Sequence, residues 1–458
     1  MSSLNQPAHL YRSGAPAPVQ RAAFTNGDVP VAVYGLGKMG LPLAAVYASV
    51  TGNVTGADVD PDVVDRVNAG DCHVQREPGL DDLVADLVAD GSLRAVNDPV
   101  DAAADASVHV VIVPTLIDDD HHPDLSVVES VLVDVASGLD AGDLVVVEST
   151  VPPGTCADVA APLLSAESGL DRDEFGVAFC PERTSSGRAL DDIRGTHPKV
   201  VGGVDDESTR AAGLVYGEIT SNDVLAVSDA TTAECVKVFE GLYRDVNIAL
   251  ANELARFTDE LGIDVREAID VANTQPYCDI HTPGPGVGGH CIPYYPYFVL
   301  NWLTTDAPLL RTARAVNDAT PGFVAETTLR RLAERGVNAA DATVLVLGLT
   351  YRAGVAETRA SPARGVCTAL GEAGATVYAT DPLVTAEREG IDATDVALDD
   401  ISEVGADAVV LVTDHEEYDT LDWGAFPDPL CVVDTRDALG DALEGTDHDH
   451  YTVGSGAH

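Results

Sequence analysis

A short apolar run, Val31 to Tyr34, leads straight into Gly35-Leu36-Gly37-Lys38-Met39-Gly40 and then into the helix-forming stretch LPLAAVYASV. This order of strand, glycine turn and helix narrows the available folds more than any other feature. Each glycine answers a steric need of a dinucleotide-binding turn: a tight bend, close approach of a pyrophosphate, and contact between helix and strand. A second apolar stretch, Asn53 to Ala57, ends in Asp58 about 20 residues further on, where a carboxylate accepts from both ribose hydroxyls and repels a 2′-phosphate. NAD is favoured over NADP. The competing reading is a glycine turn of some other α/β unit with a merely solvated acid.

Further apolar runs at Val108 to Val113, Leu144 to Val147 and Val177 to Phe179 alternate with helical stretches, which specifies a parallel sheet covered on both faces. Ligands of such sheets bind beyond the carboxyl ends of the strands. Thr115, the run Glu148-Ser149-Thr150-Val151-Pro152-Pro153-Gly154 and the run Cys180-Pro181-Glu182-Arg183 all fall there, although Ser, Thr, Pro and Gly are also ordinary loop residues. From about Ala212 the pattern turns helical, and Ala230 to Leu261 reads as one long spine carrying Lys237, an ammonium that either snorkels to solvent or points into a pocket. A shorter helix is expected at Val265 to Ala272 and another at Pro308 to Asn317. A second open α/β sheet follows, with strands at Thr343 to Leu347, Thr376 to Ala379, Ala408 to Val412 and Cys431 to Val433. Its loop Tyr351 to Pro362 holds Arg352 and Arg359, whose planar guanidinium groups suit phosphate as well as ordinary ion pairs. The expected architecture is α/β: two Rossmann-like open parallel-sheet domains joined by a central helical domain with a long spine helix. The expected divisions are a disordered tail at 1–27, an NAD domain at 28–211, the helical domain at 212–320 and a C-terminal sheet domain at 321–458.

Between the helices lies GPGVGGHCIPYYPYF, Gly284 to Phe298, a composition that suits neither helix nor strand. Glycines permit close approach to a ligand, prolines restrict the remaining freedom, and the loop reads as a rigid holder for Cys291. That thiol is either a nucleophile or an inert turn cysteine. The eight cysteines show no CxxC pair and no Cys/His ligand spacing, so neither a disulfide framework nor a metal site is expected, and a reducing cytoplasm fits. No run of apolar residues is long enough to span a bilayer, so no membrane partner is expected. A formal charge of −49, spread along the chain, makes nucleic acid an improbable partner and points to a salt-rich cytoplasm. Lys38, Lys199 and Lys237 are the only lysines, a hint that each does something arginine does not.

The ordered blocks GLGKMGLPLA, EPGL, VPT, PDLS, ESTVPPGT, PER, RDVNIALANELA, GPGVGGHCIP and RASP resemble the nucleotide-sugar 6-dehydrogenase (UDP-glucose/GDP-mannose dehydrogenase) family over nearly the whole chain, with GGHC matching its N-acetylhexosamine branch. The resemblance implies an NAD domain, a helical linker forming a homodimer or higher oligomer, and a domain for the nucleotide diphosphate. It also implies oxidation of a C6 hydroxyl to a carboxylate with two NAD. UDP-N-acetylmannosamine is the foremost UDP-sugar substrate, with UDP-glucose, UDP-GlcNAc and UDP-GalNAc as alternatives. Cys291 would form a thiohemiacetal and then a thioester, Lys237 would stabilise the oxyanion, and Thr150 and Glu182 would position water and substrate. Gly35, Gly37, Lys38, Met39, Gly40, Asp58, Thr115, Thr150 and Arg359 would meet the cofactor. Glu182, Arg183, Lys237, Arg244, Asn247, Gly288, Gly289 and Arg352 would meet the sugar nucleotide.

Two positions depart from the family pattern. Tyr295 stands where an aspartate assists proton transfer, and Gly241 where an asparagine is usual. Tyr295, His290 or Glu182 through a water would then carry the proton. A single-step hydroxyacid or sugar-phosphate dehydrogenase, which needs no held thiol, and a non-catalytic nucleotide-sugar binder are the competing readings.

Overall fold

The computed structural model describes residues 9–118, 120–185, 187–426 and 429–457. Two compact units emerge, one of residues up to Phe239 together with Tyr297–Leu303, the other of Glu240–Pro296 with Thr304 onward.

The first unit is built on eight strands: β1 (Val31–Tyr34), β2 (Val54–Ala57), β3 (Leu93–Val96), β4 (Val108–Val111), β5 (Leu144–Val147), β6 (Gly176–Phe179), β7 (Lys199–Gly203) and β8 (Val224–Ala226). Their order in the sheet is β8-β7-β6-β5-β4-β1-β2-β3. All pair in parallel except β6 with β7. β1 lies between β2 and β4, with Val31 opposite Val54 and Val108. This is the doubly wound order, whose switch point lies beside β1, where the chain leaves the sheet at Gly35. Strand β1 is apolar throughout because both its faces are covered: Val31 and Val33 join one buried cluster, Ala32 and Tyr34 the other.

The N-terminal segment departs from expectation. Residues 9–27, read as part of a disordered tail, carry helix α1 (Ala17–Thr25) and bury Leu10, Tyr11 and Phe24; residues 1–8 lie outside the described residues. Its few large apolar groups, masked in the sequence by Pro and Ala, suffice to dock it, and Tyr11 Oη donates to Asp205 3.0 Å away. Helix α2 (Gly40–Thr51) follows the glycine turn with ten of its residues buried and ends on a left-handed Gly52. A helix at Asp206–Ile219 crosses the expected domain boundary at 211.

Helix α3 runs from Ala230 to Ala255, shorter than the expected spine, with a separate turn of helix at Thr258–Leu261. Helix α4 (Pro308–Glu334) is longer than expected and continues through Pro321. In the second unit Pro321 occupies space left by two glycines, since added Cβ atoms at Gly365 and Gly286 would fall 2.8 and 3.4 Å from its side chain. The second sheet comprises β9 (Thr343–Leu347), β10 (Thr376–Thr380), β11 (Thr394–Asp395), β12 (Ala408–Leu411), β13 (Cys431–Asp434), β14 (Asp449–Thr452) and β15 (Gly456–Ala457). Their order is β11-β10-β9-β12-β13-β14-β15, parallel except for the last pair. Its first six strands repeat the connectivity of the first sheet. Among the described residues no helix is long and apolar enough to cross a membrane.

Candidate active site

In the first unit the glycine turn shows why no other residue fits. Gly35 has φ +94°, and a Cβ there would fall 2.7 Å from the carbonyl oxygen of Ile112; one on Gly40 would lie 1.8 Å from the carbonyl oxygen of Gly35. Gly37 faces open space, with nothing within 4 Å of an added Cβ, where a pyrophosphate would approach the backbone. Asp58 is fixed at the end of β2 by two amides, from Leu36 at 2.8 Å and Asp60 at 3.0 Å, which leaves lone pairs for ribose hydroxyls. The hydroxyl of Thr115, beyond the end of β4, is buried without a hydrogen-bond partner. An open turn, a fixed acid and an unsatisfied hydroxyl at one sheet edge fit NAD. The exposed Lys38 and the half-buried Met39 complete the turn.

The same edge carries the reactive polar groups of this unit. Ser149 ties the ends of β4 and β5 together, accepting from Val113 N at 2.8 Å and donating to Val113 O at 2.7 Å, and so fixes the backbone that carries Thr150. Glu234, fully buried on α3, accepts from Gly154 N at 2.6 Å and Cys156 N at 2.7 Å. One turn later Lys237 donates to the carbonyl oxygen of Glu182 and lies 3.7 Å from its carboxylate. Glu182 also accepts from Thr184 N, and Thr184 Oγ1 reaches Met39 Sδ at 3.0 Å. Lys237, Glu182 and the glycine turn are thereby linked. Arg183 is turned to the Pro198 carbonyl at 3.0 Å. Beneath this edge Glu148 accepts from Tyr216 at 2.5 Å and sits 3.8 Å from buried Lys199; burial pushes the carboxyl up despite that ammonium.

In the second unit the cysteine loop is held at its start and again just before the thiol. Gly284 N donates to Asn252 Oδ1 at 2.9 Å, and Asn252 in turn meets Asn317, which donates to the buried Asp245 paired with Arg314. Arg266 donates to the carbonyls of Pro283, Thr435 and Val453. Further on, Gly289 N donates to Arg359 O at 2.9 Å, and added Cβ atoms at Gly288 and Gly289 would fall 2.8 and 2.9 Å from the side chain of Tyr351. These glycines let the loop lie flat on the Tyr351–Pro362 segment. Cys291 follows, the one exposed thiol of eight. Its carbonyl accepts from Tyr294 N and Tyr295 N, both at 3.0 Å. His290 Nε2 bonds to the carboxylate of Glu357. Tyr295 is buried, its ring where a side chain at Gly241 would stand. Arg352 and Arg359 are exposed on the facing segment. Arg244 and Asn247 stand elsewhere on α3, where Asn247 holds Asp279 O at 2.7 Å and His281 N at 2.8 Å.

The expectations passed over Glu234, Glu357 and Arg436. Arg436 lies two residues beyond strand β13, at the carboxyl edge where ligands of such sheets bind, a position that could have flagged it. Its Nε donates to Val412 O at 2.7 Å, and burial pulls its pKa down to about 10. Among the described residues no cluster of His, Cys, Asp or Glu is arranged to hold a metal ion.

Three profiles of one family match the chain in succession: the NAD-binding domain at residues 29–220, the central domain at 231–319 and the UDP-binding domain at 345–441 of the UDP-glucose/GDP-mannose dehydrogenase family. The chain belongs to that family. It is 37% identical over 412 residues to the UDP-N-acetyl-D-mannosamine dehydrogenase of Pyrococcus horikoshii, covering 89% of this chain and 96% of that one. It is 36% identical over 414 residues to the NDP-N-acetyl-D-galactosaminuronic acid dehydrogenase of Ralstonia nicotianae, covering 89% and 95%. The solved structure of the Pyrococcus horikoshii protein superposes with a TM-score of 0.84 at 34% identity over 93% of this chain and 99% of that one. The family reaction is NAD-dependent oxidation of a nucleotide sugar. As a nucleotide-sugar dehydrogenase the chain has the expected fold: Rossmann-like sheets and a central helical region.

Proposed function

We propose that this dehydrogenase oxidises the C6 hydroxyl of a UDP-N-acetylhexosamine, UDP-N-acetylmannosamine foremost, to the uronate in two NAD-dependent steps through Cys291. The observation that carries the reading is the exposure of Cys291 alone among the cysteines, on a loop tied down at Gly284 and Gly289. An inert structural thiol would be buried, as Cys156, Cys180, Cys367 and Cys431 are. A single-step dehydrogenase has no use for such a group.

Gly35, Gly37, Gly40, Asp58 and Thr115 would hold NAD, which would supply the hydride acceptor for each oxidation. Lys237, kept in place by Glu182, stabilises negative charge as it develops on the C6 oxygen, a task suited to a compact ammonium. Thr150 and Glu182 orient the hydroxyl and later the water. The sulfur of Cys291 adds to the aldehyde, which keeps the intermediate on the protein until the second oxidation makes a thioester that water cleaves. Arg352, Arg359 and Arg436 supply planar donors to the diphosphate. Preference for the N-acetylmannosamine nucleotide rests on the GGHC loop and on the likeness to the Pyrococcus protein.

Incubation with NAD and a panel of UDP-sugars in molar KCl is the test. The expected result is two NADH per sugar and a uronate, abolished in Cys291→Ala; uronate formed by that variant at the wild-type rate would rule the thioester out. A homodimer is part of the reading. Tyr243, Leu250 and Phe257 recur every seven residues on α3 and just beyond it, all exposed, which is the spacing of a helix-pairing seam. Light scattering in KCl should give twice the chain mass for the wild type and the chain mass for Leu250→Glu.

A further inference from the structure

The loop that carries Cys291 also carries an imidazole whose partner lies 67 residues away. His290 Nε2 is bonded to Glu357 Oε2. Glu357 is itself fixed, because its carbonyl accepts from Tyr351 N at 3.0 Å and its amide donates to Val355 O at 2.8 Å, closing the segment into a compact loop. The His290 ring stands edge-on to Tyr351, centroids 6.4 Å apart, and Gly289 packs on the same ring. Burial raises the Tyr351 phenol, with Glu357 and Cys291 adding to the rise and Arg352 opposing it. Glu357, Cys291 and Arg352 thus act on the Tyr351 ring that the imidazole faces.

A carboxylate only accepts hydrogen bonds, so the bond to Glu357 assigns the ring proton to Nε2 and leaves the lone pair on Nδ1. The result is a base with a fixed tautomer one residue from an exposed thiol, backed by a charge that stabilises the imidazolium once formed. An ordinary surface ion pair would be worth little and would have no bearing on the sulfur. Tyr295, the other candidate on this loop, has its ring packed over Gly241.

We propose that His290, oriented by Glu357, is the proton-transfer group of the Cys291 chemistry; this rests on the two-step reading above. As the sulfur adds to the C6 aldehyde, Nδ1 takes the S–H proton and returns it to the new hydroxyl oxygen, so the thiohemiacetal forms without net proton change. As the hydride leaves for NAD, Nδ1 takes the hydroxyl proton and passes it to solvent, which gives the thioester. Nδ1 then takes a proton from the attacking water, the C–S bond breaks, and the proton passes to the departing sulfur, releasing the acid and restoring the thiol. Glu357 acts only through His290 and is a positioning residue.

The experiment uses the full chain in molar KCl with NAD and UDP-N-acetylmannosamine. His290→Ala is expected to lower steady-state turnover by roughly 10²- to 10⁴-fold, the usual range for a lost base. A sugar-nucleotide thioester should then accumulate on Cys291, visible by intact mass, and added imidazole should restore turnover. Glu357→Gln should give a smaller loss with an altered pH–rate profile, and Glu357→Asp should recover most of it. Retained UDP-sugar affinity shows that the variants are folded. Wild-type turnover in His290→Ala, or a loss in Glu357→Gln that leaves the pH profile untouched, overturns the proposal alone. A wild-type protein that forms no uronate from any UDP-sugar overturns the two-step reading and this proposal together.

Discussion

A side chain at position 241 would have to share space with the ring of Tyr295, since a Cβ there falls 2.1 Å from Cδ2 and 3.0 Å from Cγ. The two positions at which the sequence departs from the pattern the resemblance implies are therefore in contact: the ring at 295 fills the room that a side chain at 241 would take. By helix propensity alone Gly241→Ala should stabilise by about 0.5–1 kcal/mol. Overpacking against a buried ring costs about 1–3 kcal/mol and should win, so the variant is expected to be less stable than the wild type. In a Tyr295→Ala background the clash is gone, and the same change should become stabilising. Thermal melts of the four proteins in KCl check this sign reversal; equal effects of Gly241→Ala in both backgrounds would show the two sites to be uncoupled. Both positions were legible as departures in the sequence. Their contact was not, because nothing local in a helix and a Gly/Pro loop reveals which side chain fills which space. His290 was likewise legible as a candidate base, while Glu357 lay hidden among the two arginines that drew the eye to its loop.

At the scale of elements, the cysteine loop is tied to α3 and α4 through Asn252, which accepts from Gly284 N and meets Asn317 between the two helices. Asn252→Leu leaves the Gly284 amide and the Asn317 carbonyl oxygen buried without partners, at roughly 1–3 kcal/mol. The expected outcome is a lower melting temperature and faster alkylation of Cys291 by iodoacetamide; an unchanged alkylation rate would mean the loop is held by its other contacts. The carboxyl edge of the second sheet makes a different prediction. Asp381 accepts from Leu349 N at 2.7 Å, Thr350 N at 2.9 Å and His415 at 3.1 Å, and Asp434 accepts from four amides of the turn that follows it. Burial pushes both carboxyls up, but hydrogen bonding, led by His415 at Asp381 and by His450 with the turn amides at Asp434, outweighs it and holds them below the usual range. A depressed acid contributes stability above its unfolded pKa, about 3.9, and that contribution is lost as pH falls from roughly 5 toward the folded value. The stability gap between wild type and Asp381→Asn should be wide at pH 7 and close on acidification; a gap independent of pH would contradict it. Asp381 occupies in the second sheet the place of Asp58 in the first, yet its oxygens are taken up internally. An acid follows the second strand of each sheet, and only the fold tells the open one from the occupied one. Long apolar strands were legible for the same reason that they form, burial on two faces. β3, β7 and β8 escaped, being half-buried, glycine-bearing or very short, as did β11, β14 and β15 of the second sheet, and α4 was cut short because Pro321 reads as a breaker until its two glycine neighbours are known.

For the molecule as a whole, charge is the property that the interior does not explain. The chain carries 75 acidic residues against 26 basic ones, and its surface ion pairs, such as Arg66 with Asp71 and Arg94 with Asp105, are individually weak. Those few pairs leave a net charge of −49 to repel itself across the folded surface. At about 0.1 M salt the screening length is ~10 Å, comparable to the spacing of surface charges, whereas at ~1 M it falls to about 3 Å and most of the repulsion disappears. The unfolded chain spreads the same charges further apart, so screening favours the folded state. Stability should therefore rise steeply between low and multimolar KCl, and enzyme dialysed to low salt should lose activity and cooperative melting together. Ionic strength, and not water activity, is the variable: NaCl at equal concentration should serve almost as well, while sucrose at matched water activity should not. A melting temperature that follows sucrose as closely as KCl would assign the effect to preferential exclusion from the surface, and one that ignores both would show that local packing absorbs the repulsion.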